Sequence, residues 1–397
     1  MISNLIIYPI NYVRFFLSVF RKNKINLNKF NNFFLKSLNL KNNIIFLGRA
    51  RTGIYLLVKF FLKKNKKKGV LLSPYTIPDL VNMVIKAGGI PYFLDFEKKT
   101  TFLSVRTLKK ILKKKLFSVL ILTHYSINEK NYAQIIRICK NNNIKVIEDS
   151  AISFVGSSGN AKINFLGDAS VLSFSSFKLI NFFYGGAIVC KNRYYFKSIS
   201  KYISSWPEMS FLNYFFKFLE NIKYEILTSY FVLRAFKYFY FNSKKKYTNY
   251  KFGLMDRSYF TKPSKFFYFE IEKKIHKYKY YLKHRRKISL IYFKYLKKIS
   301  IPFDITALQI SQSSCYNYLI YVKNRDQLRM KMLKDNFLLG KIFYENCQNL
   351  NQLKKYKGST KNINNLMKHL IILPTHLRVS PKEAENLSKA ILKYLSL

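Results

Sequence analysis

Short strand-like segments alternate with helix-like segments through the first half of the chain, and this alternation leaves few folds open to it. Predicted strands begin at Ile44, Val70, Pro91, Ser118 and Lys145. Strands separated by helices of about 10–15 residues form right-handed crossovers, which produce a mostly parallel sheet with helices on both faces. We therefore predict an α/β fold, in which ligands bind at the carboxyl ends of the strands.

The pattern changes on both sides of this region. Residues 1–40 are predicted to form a helical leader, and residues 41–205 the large α/β domain. Residues 206–300 look helical and rich in aromatic residues, without strand alternation. Strand and helix patterns over residues 301–397 predict a smaller α+β domain, which ends in a terminal helix at Pro381–Leu395.

The excess of positive charge has two explanations. The 397 residues include 71 Lys+Arg and 19 Asp+Glu, a formal net charge of +52. A nucleic-acid or membrane partner would account for this charge. However, residues with A/T-rich codons are frequent, with 37 Phe and 31 Tyr, whereas residues with G/C-rich codons are scarce, with 13 Gly and 9 Pro. Mutational drift in an A/T-rich genome is therefore the alternative explanation of the charge. Because the lysines are scattered and no nucleic-acid-reading motif is visible, we expect no specific nucleic-acid partner.

The spacing of the cysteines and the length of the apolar stretches indicate where in the cell the protein is located. The four cysteines lie far apart without metal-ligand spacing, which favours a reducing cytoplasm over disulfides or zinc. No secretory signal is recognised. Charged residues interrupt the apolar stretches near the N-terminus and at 214–241, which do not reach the roughly 20 residues of a membrane span. We expect a cytoplasmic protein in which these stretches are buried helices, with peripheral membrane contact as the open alternative.

The segment from Ile163 to Cys190 is almost free of charge. Asp168 and Lys178 are its only charged residues. Two strand-like stretches flank the turn that holds Lys178. Burying a free ammonium is costly, so a lysine there is neutralised, paired or reactive, and burial favours the neutral amine that covalent catalysis uses. The alternative is a lysine that reaches solvent from the end of a hairpin.

Three further features suit a phosphorylated cofactor with a cationic ring. Asp149 ends a predicted strand, where a carboxylate can pair with a ring nitrogen; a helix N-cap is the alternative. The loop 48–53 precedes a helix, whose free N–H groups favour a phosphate, and Thr52 can add a hydroxyl. Ser173 can supply another phosphate ligand or be bonded locally. A phosphate cradle, a carboxylate and a desolvated lysine, in this order, are what pyridoxal phosphate requires.

Together these motifs resemble the DegT/StrS family of pyridoxal-phosphate-dependent sugar aminotransferases, which have the aspartate-aminotransferase-like fold of type I. VIEDSA is similar to the family's strand that ends at the pyridine-binding aspartate, here Asp149. GDASVLSFSSFK followed by YGGAIVC is similar to its lysine motif, in which Lys178 would hold the cofactor and Ser173 its phosphate. Thr52 and Gly53 fall where the family's first phosphate contacts lie.

The substrate side departs from the family pattern. Ile152 takes the place of a glutamine, and Ile77 that of the aromatic residue that stacks over the cofactor ring, with Tyr75 nearby as its substitute. Phe343 stands where a histidine is usual. The asparagine and arginine that the partner subunit lends have their nearest match in Asp256-Arg257. A catalytically divergent protein that keeps the fold for a binding or scaffold role is therefore an alternative.

The resemblance covers residues 41–200, and 310–397 more loosely. It implies an enzyme that moves an amino group from an amino acid, usually glutamate, to a keto sugar linked to a nucleotide, for surface-polysaccharide or amino-sugar biosynthesis. Family members that dehydrate sugars have histidine in place of the lysine, so Lys178 favours amino transfer. The resemblance also implies a homodimer with active sites at its interface.

Overall fold

The computed structural model describes most of the chain, and the elements below are numbered in chain order. The described residues are 2–3, 26–40, 43–63, 65–125, 131–154, 166–242, 250, 252–253, 255–341, 344–356 and 358–396. The first half contains β1 (Ile2–Ser3), α1 (Leu27–Ser37), β2 (Asn43–Leu47), α2 (Ala50–Leu62), β3 (Gly69–Leu72), β4 (Tyr75–Thr76), α3 (Pro78–Lys86), β5 (Ile90–Phe93), α4 (Val105–Leu112), β6 (Phe117–Thr123), α5 (Tyr132–Asn141), β7 (Lys145–Asp149), β8 (Ala169–Ser173), β9 (Gly186–Cys190) and α6 (Arg193–Ile203).

The second half begins with helices. It contains α7 (Phe211–Leu227), α8 (Tyr230–Ala235), α9 (Lys237–Asn242), α10 (Lys265–His276), α11 (Tyr278–Leu296), β10 (Ser300–Ile301), α12 (Ala307–Gln312), β11 (Asn317–Tyr321), α13 (Arg325–Lys334), β12 (Phe337–Leu338), β13 (Glu345–Asn346), α14 (Lys361–His369), β14 (Leu370–Pro374) and α15 (Pro381–Leu395). Within the described parts of the chain, none of the helices combines the length and apolar character that crossing a membrane requires.

A seven-stranded sheet forms the centre of the large domain. Its strand order is β2-β9-β8-β7-β6-β3-β5. Strands β8, β7, β6, β3 and β5 run parallel, whereas β9 is antiparallel to both β8 and β2. The predicted α/β fold with a mostly parallel sheet is confirmed.

Burial on both faces explains why these strands are uninterrupted apolar runs. All positions of β6 are buried. Alternate residues of a strand point to opposite faces, so Val119 and Ile121 join the core that packs under α2, while Leu120 and Leu122 join the core on the other face. The sheet is therefore held from both sides, and only its strand ends are free to form a site.

The N-terminal leader differs from its helical prediction at its start. Helix α1 lies within residues 1–40, but Ile2 and Ser3 form a strand that pairs in parallel with Phe337 and Leu338 of β12. A partner more than 300 residues away supplies these backbone hydrogen bonds, so no local pattern could reveal the strand. The domain boundaries near residues 40, 205 and 300 remain predictions.

A second, antiparallel sheet organises the C-terminal region. Its strand order is β10-β11-β14, and the terminal helix α15 has the predicted bounds, with Ser380 and Glu383 forming a capping box at its start. Strand β13 leaves this region and pairs with β4, so that Asn346 lies opposite Tyr75. This pairing brings a segment of the C-terminal region to the edge of the large domain where the polar strand ends lie.

Candidate active site

A cavity of about 390 Å³ lies at the carboxyl ends of β7 and β8. Asp149 is the last residue of β7 and Ser173 the last of β8, and both line the cavity. Lys178 lines it from the loop between β8 and β9. The structure thus brings three of the residues predicted from the sequence to one cavity, at the edge of the sheet where parallel α/β proteins bind ligands.

Asp149 supplies a buried carboxylate. Its Oδ2 accepts a hydrogen bond from the Thr123 hydroxyl at 3.3 Å, and its Oδ1 accepts one from the Ala151 N–H at 3.1 Å. Burial raises the pKa of Asp149, and the Ala151 N–H and then the Lys178 ammonium oppose that rise. Residues 151–153 form a turn, and no helix begins within the described residues 150–154 that follow the carboxylate. A cation bound in the cavity would compensate for its desolvation.

Lys178 is half-buried rather than directed into bulk solvent. Its backbone N–H donates to the Ser175 carbonyl at 3.0 Å, which closes a turn after β8. The side chain lines the cavity and is close enough for its charge to lower the pKa of Asp149. An amine and a carboxylate therefore meet in one cavity, as the predicted cofactor chemistry requires.

The first turn of α2 forms the wall that suits an anion. Arg49, Ala50 and Arg51 line the cavity, and the N-cap Arg49 makes no side-chain capping hydrogen bond. The first N–H groups of a helix have no partner within it and carry the positive end of its dipole. Burial and then the neighbouring Arg51 lower the pKa of Arg49, so an anion placed beside the Arg49 guanidinium would be favoured, whereas the Arg51 guanidinium already pairs with the Asp79 carboxylate.

Thr52 and Gly53 lie in this turn but do not line the cavity. The Thr52 hydroxyl donates to the Tyr259 carbonyl at 2.9 Å. At Gly53, a Cβ would lie 3.1 Å from the Ile188 side chain and 3.3 Å from that of Val171, so the residue packs directly on the sheet. The predicted contact between the Thr52 hydroxyl and a phosphate would have to replace the bond to Tyr259. Phosphate binding by these two residues stays a prediction.

Tyr75 is also kept away from the cavity. The side chain is fully buried, its ring lies 6.0 Å from that of Phe96, and its carbonyl accepts the Tyr125 hydroxyl at 2.7 Å. Ile77 lines the cavity instead, and Ile152 is buried in the core. The structure therefore places an aliphatic residue where the family pattern has a stacking aromatic one, and does not bring in Tyr75 as its substitute.

The other predicted substrate-side positions are less informative. Phe343 and the side chain of Arg257 lie outside the described residues. The carboxylate of Asp256 accepts the Ser258 N–H at 2.8 Å, a local turn contact.

Helix α7 supplies a cavity wall that the sequence analysis did not identify. Lys217, Glu220 and Tyr224 line the cavity from one side of this helix. The Lys217 ammonium pairs with the Glu220 carboxylate, and the Tyr224 hydroxyl donates to Glu220 at 3.3 Å. Burial, followed by the Glu220 charge, raises the pKa of Tyr224. Their spacing of three and four residues, within an aromatic helix, is the signal that could have revealed them.

A buried hydrogen bond between two side chains supports the strand end that carries Asp149. His124 Nε2 lies 2.7 Å from Glu148 Oε2, and these side chains are 1% and 0% exposed. The backbone N–H of His124 donates to the Asp149 carbonyl at 2.9 Å. Because breaking the His124–Glu148 contact would leave a buried polar group without its partner, these contacts hold the two strand ends together. In the sequence, His124 and Glu148 could have been noticed because each lies at the end of a predicted strand.

Gly186 holds the wall formed by α2 against the sheet. A Cβ at this position would lie 2.3 Å from the Ala50 Cα. We expect Gly186→Ala to push the first turn of α2 outward, lowering the free energy of unfolding by about 1–3 kcal/mol and weakening cofactor binding. Urea unfolding and cofactor titration measure both effects. Gly88→Ala is the control, since its added Cβ meets no atom within 4 Å. It should cost only backbone strain and leave cofactor affinity unchanged.

The residues present fit pyridoxal phosphate. The cavity offers an amine for the aldehyde at Lys178, a carboxylate for the ring nitrogen at Asp149, and cations with a helix N-terminus for the phosphate at Arg49 and Arg51. Ser173 adds a hydroxyl, which lies 3.5 Å from that of Ser175. Burial raises the pKa of Asp149, and a cationic ring nitrogen beside the carboxylate would offset that rise.

Comparison with known proteins is consistent with this site. Over 148 residues, or 37% of this chain, the sequence is 25% identical to the dTDP-4-amino-4,6-dideoxy-D-glucose transaminase of Shigella dysenteriae. The chain aligns with only about two fifths of the length of the curated relatives it matches.

Solved structures resemble the chain over its whole length. Helicobacter pylori PseC, an aminotransferase involved in the biosynthesis of pseudoaminic acid, has a TM-score of 0.75 at 15% identity, covering 100% of this chain and 99% of its own. The E. coli GDP-4-keto-6-deoxy-D-mannose-3-dehydratase with bound hydrated PLP has a TM-score of 0.71 at 15% identity, covering 98% and 100%. At these identities the likeness concerns the fold.

A family model decides the classification. It matches residues 23–205 and 271–392, well over half of the chain, and includes both the Asp149 strand and the Lys178 loop. The predicted aminotransferase class and the predicted cofactor, pyridoxal phosphate, are confirmed at the level of the family. The chain belongs to the DegT/DnrJ/EryC1/StrS aminotransferase family.

Proposed function

We propose that this protein transfers an amino group from an amino acid, with glutamate as the donor, to a keto sugar linked to a nucleotide. The observation that carries the proposal is the meeting of Lys178 and Asp149 in one cavity beside the N-terminus of α2. The Shigella relative is a dTDP-4-amino-4,6-dideoxy-D-glucose transaminase, and the Helicobacter neighbour is an aminotransferase involved in the biosynthesis of pseudoaminic acid. Both support a sugar as acceptor and a role in amino-sugar or surface-polysaccharide biosynthesis.

Four residues of the cavity would share the work of this reaction. Pyridoxal phosphate, when bound, supplies an aldehyde that condenses with amines and a ring that withdraws electrons. The Lys178 amine would hold that aldehyde and would also be the base that moves a proton at the α-carbon of the donor. The Asp149 carboxylate would keep the ring nitrogen protonated, because a carboxylate buried beside a cation stays ionised. Arg49, Arg51 and the first N–H groups of α2 would bind the phosphate.

The substrate would contact the remaining walls of the cavity. Lys217, Glu220 and Tyr224 offer a cation, an acceptor and a hydroxyl, the groups that bind sugar hydroxyls and phosphates. Ile77 gives the cofactor ring an apolar but not an aromatic neighbour. This wall supports a substrate arrangement different from that of relatives with a stacking aromatic residue.

The test is spectroscopic and then chemical. Purified protein with pyridoxal phosphate should develop a visible absorbance band that borohydride abolishes, and glutamate should bleach that band while 2-oxoglutarate forms. A nucleotide-linked keto sugar should restore the band and gain an amine, detected by mass spectrometry. A protein that stays colourless with added cofactor would contradict the proposal. Loss of water from the sugar, without gain of an amine, would identify a dehydratase instead.

A second candidate is a catalytically divergent protein that binds the cofactor without turnover. Ile77 and Ile152 favour it, because both depart from the family pattern on the substrate side. Cofactor binding with no bleaching by any amino acid distinguishes this candidate from the enzyme. We further propose a cytoplasmic location and a homodimer. Sedimentation velocity tests the homodimer, and cell fractionation tests the location.

A further inference from the structure

We propose that helices α7, α8 and α9 form a surface that binds an anionic lipid bilayer. Large apolar side chains that are exposed concentrate in these three helices. The aromatic face, as we name this surface, comprises Leu212, Phe216, Ile226, Phe231, Phe236 and Phe239, with exposed fractions from 58% to 80%. An exposed apolar surface of this kind marks an interaction site on a soluble domain.

Helix α7 packs tightly against the rest of the chain, so loose packing does not explain why its outer side is exposed. Tyr214 and Phe218 are buried in the core on one side of the helix, and Lys217 and Tyr224 line the cavity on the next side. The third side carries an apolar stripe that no part of the described chain covers. An amphipathic helix normally buries one such stripe, whereas α7 buries one and presents another.

Residue spacing confirms that the outer stripe is continuous. Leu212, Phe216, Leu219 and Ile226 recur at intervals of four, three and seven residues, which places them on one side of a helix. Lys223 is the only charged residue within that stripe, and it is exposed. The stripe therefore combines apolar contact area with one cation.

Helices α8 and α9 continue the aromatic face while being anchored behind it. Leu233 and Phe241 are buried against Leu333 and Leu338 of the C-terminal region. Lys237 donates to the Leu333 carbonyl at 3.4 Å. Two phenylalanines of α8 and α9 are exposed on the outer side, Phe231 at 80% and Phe239 at 71%.

Charge selects lipid over a second copy of the chain. The outer sides of these helices carry the cations Lys223 and Arg234, whereas the nearby acids are engaged elsewhere: Glu220 pairs with Lys217 toward the cavity, and Glu225 accepts from Asn221 at 3.0 Å. A two-fold interface would join this face to the same face of a second copy, which offers these cations no unengaged carboxylate among the described residues of the three helices. Anionic headgroups would instead be attracted to them.

The mode of binding follows from the helix lengths. Helix α7 has 17 residues, with charged residues throughout, so it would lie in the plane of the interface with its outer stripe among the lipid chains. Because the same helix lines the cavity through Lys217, Glu220 and Tyr224, binding would place the cavity beside the headgroups. This inference does not depend on the proposed amino transfer.

Vesicle flotation tests the aromatic face. Full-length protein loaded with cofactor is mixed with vesicles of phosphatidylcholine and phosphatidylglycerol, or of phosphatidylcholine alone. We expect binding to the anionic vesicles and about tenfold weaker partitioning for the triple variant Phe216→Gln, Phe231→Gln, Phe239→Gln. The control replaces three other exposed apolar residues by Gln, namely Ile90, Leu116 and Leu308, with exposed fractions from 57% to 66%, and should bind as the native protein does.

Two outcomes would overturn the proposal. Equal binding of the native protein and the aromatic-face variant would show that the overall charge of +52, not this face, attracts the lipid. Failure of the native protein to bind, with dissociation of a dimer only in the aromatic-face variant, would show by sedimentation velocity that a second copy covers the face. Amino transfer is assayed separately, since none of the replaced residues lines the cavity.

Discussion

Replacing Lys178 by alanine is expected to lower the turnover of amino transfer by about ten-thousandfold, because one side chain both holds the cofactor and moves the proton. The variant should also lose the visible band that borohydride abolishes. After borohydride reduction and proteolysis of the native protein, mass spectrometry should find the cofactor on the peptide that contains Lys178.

The control for this experiment is Lys191→Ala. Lys191 follows β9, and its ammonium donates to the Leu166 carbonyl at 2.6 Å, away from the cavity. It should keep native turnover and the native spectrum. Cofactor found on Lys217, which also lines the cavity, would mean that the covalent role has been assigned to the wrong lysine.

Replacing Asp149 by asparagine is expected to change catalysis and stability in opposite directions. The amide is nearly the same size and can keep contacts to Thr123 and Ala151, but it cannot stabilise a protonated ring nitrogen. We expect kcat/KM to fall by about 10²–10³-fold, the loss of one well-placed electrostatic contact. Steady-state kinetics with glutamate measures it.

The stability of the cofactor-free protein should rise in the same variant. Burial raises the pKa of Asp149 in the folded state, so protonation favours folding, and this contribution is lost as the pH rises through the folded-state pKa. At neutral pH the ionised carboxylate therefore destabilises the fold, and Asp149→Asn removes that penalty. The gain in Tm should shrink as the pH falls toward the carboxyl's ordinary pKa. If Asp149 had only a structural role, Asp149→Asn would lower Tm instead.

Asp168→Asn is the matched control for Asp149→Asn. Asp168 directly precedes β8, at the amino end of that strand, and its carboxylate accepts the Val146 N–H at 2.9 Å and the Lys145 ammonium at 2.7 Å, outside the cavity lining. Its replacement should lower Tm and leave the reaction rate unchanged. If the two variants behave alike, the special role of Asp149 is refuted.

Local patterns were sufficient for the order of strands and helices and for the chemistry at their ends. Uninterrupted apolar runs, such as that of β6, predict strands buried on both faces. The near absence of charge around Lys178 distinguishes this residue from the many other lysines of the chain. Asp149 follows from its place at the end of a strand. These inferences depend on residues close in sequence, where backbone periodicity and the cost of burying charge act directly.

Other assignments depended on contacts between distant parts of the chain. The Thr52 hydroxyl bonds to a carbonyl at Tyr259, and Tyr75 is buried under rings that include Tyr125. The pairing of β1 with β12 likewise joins opposite ends of the sequence. A hydroxyl or ring takes the partner that folding brings to it, so its local pattern does not decide between a ligand contact and a core contact.

The sequence by itself was sufficient to predict the α/β fold, the family and the cofactor, and to single out Lys178 and Asp149 as candidate site residues, because each leaves a local signature of periodicity or charge. Only the tertiary structure showed that Arg49 and Arg51 line the cavity, and that α7 turns one side to the cavity and an apolar side outward. The physical reason is that a helix has several sides, and which of them is covered depends on packing against elements far away in the chain.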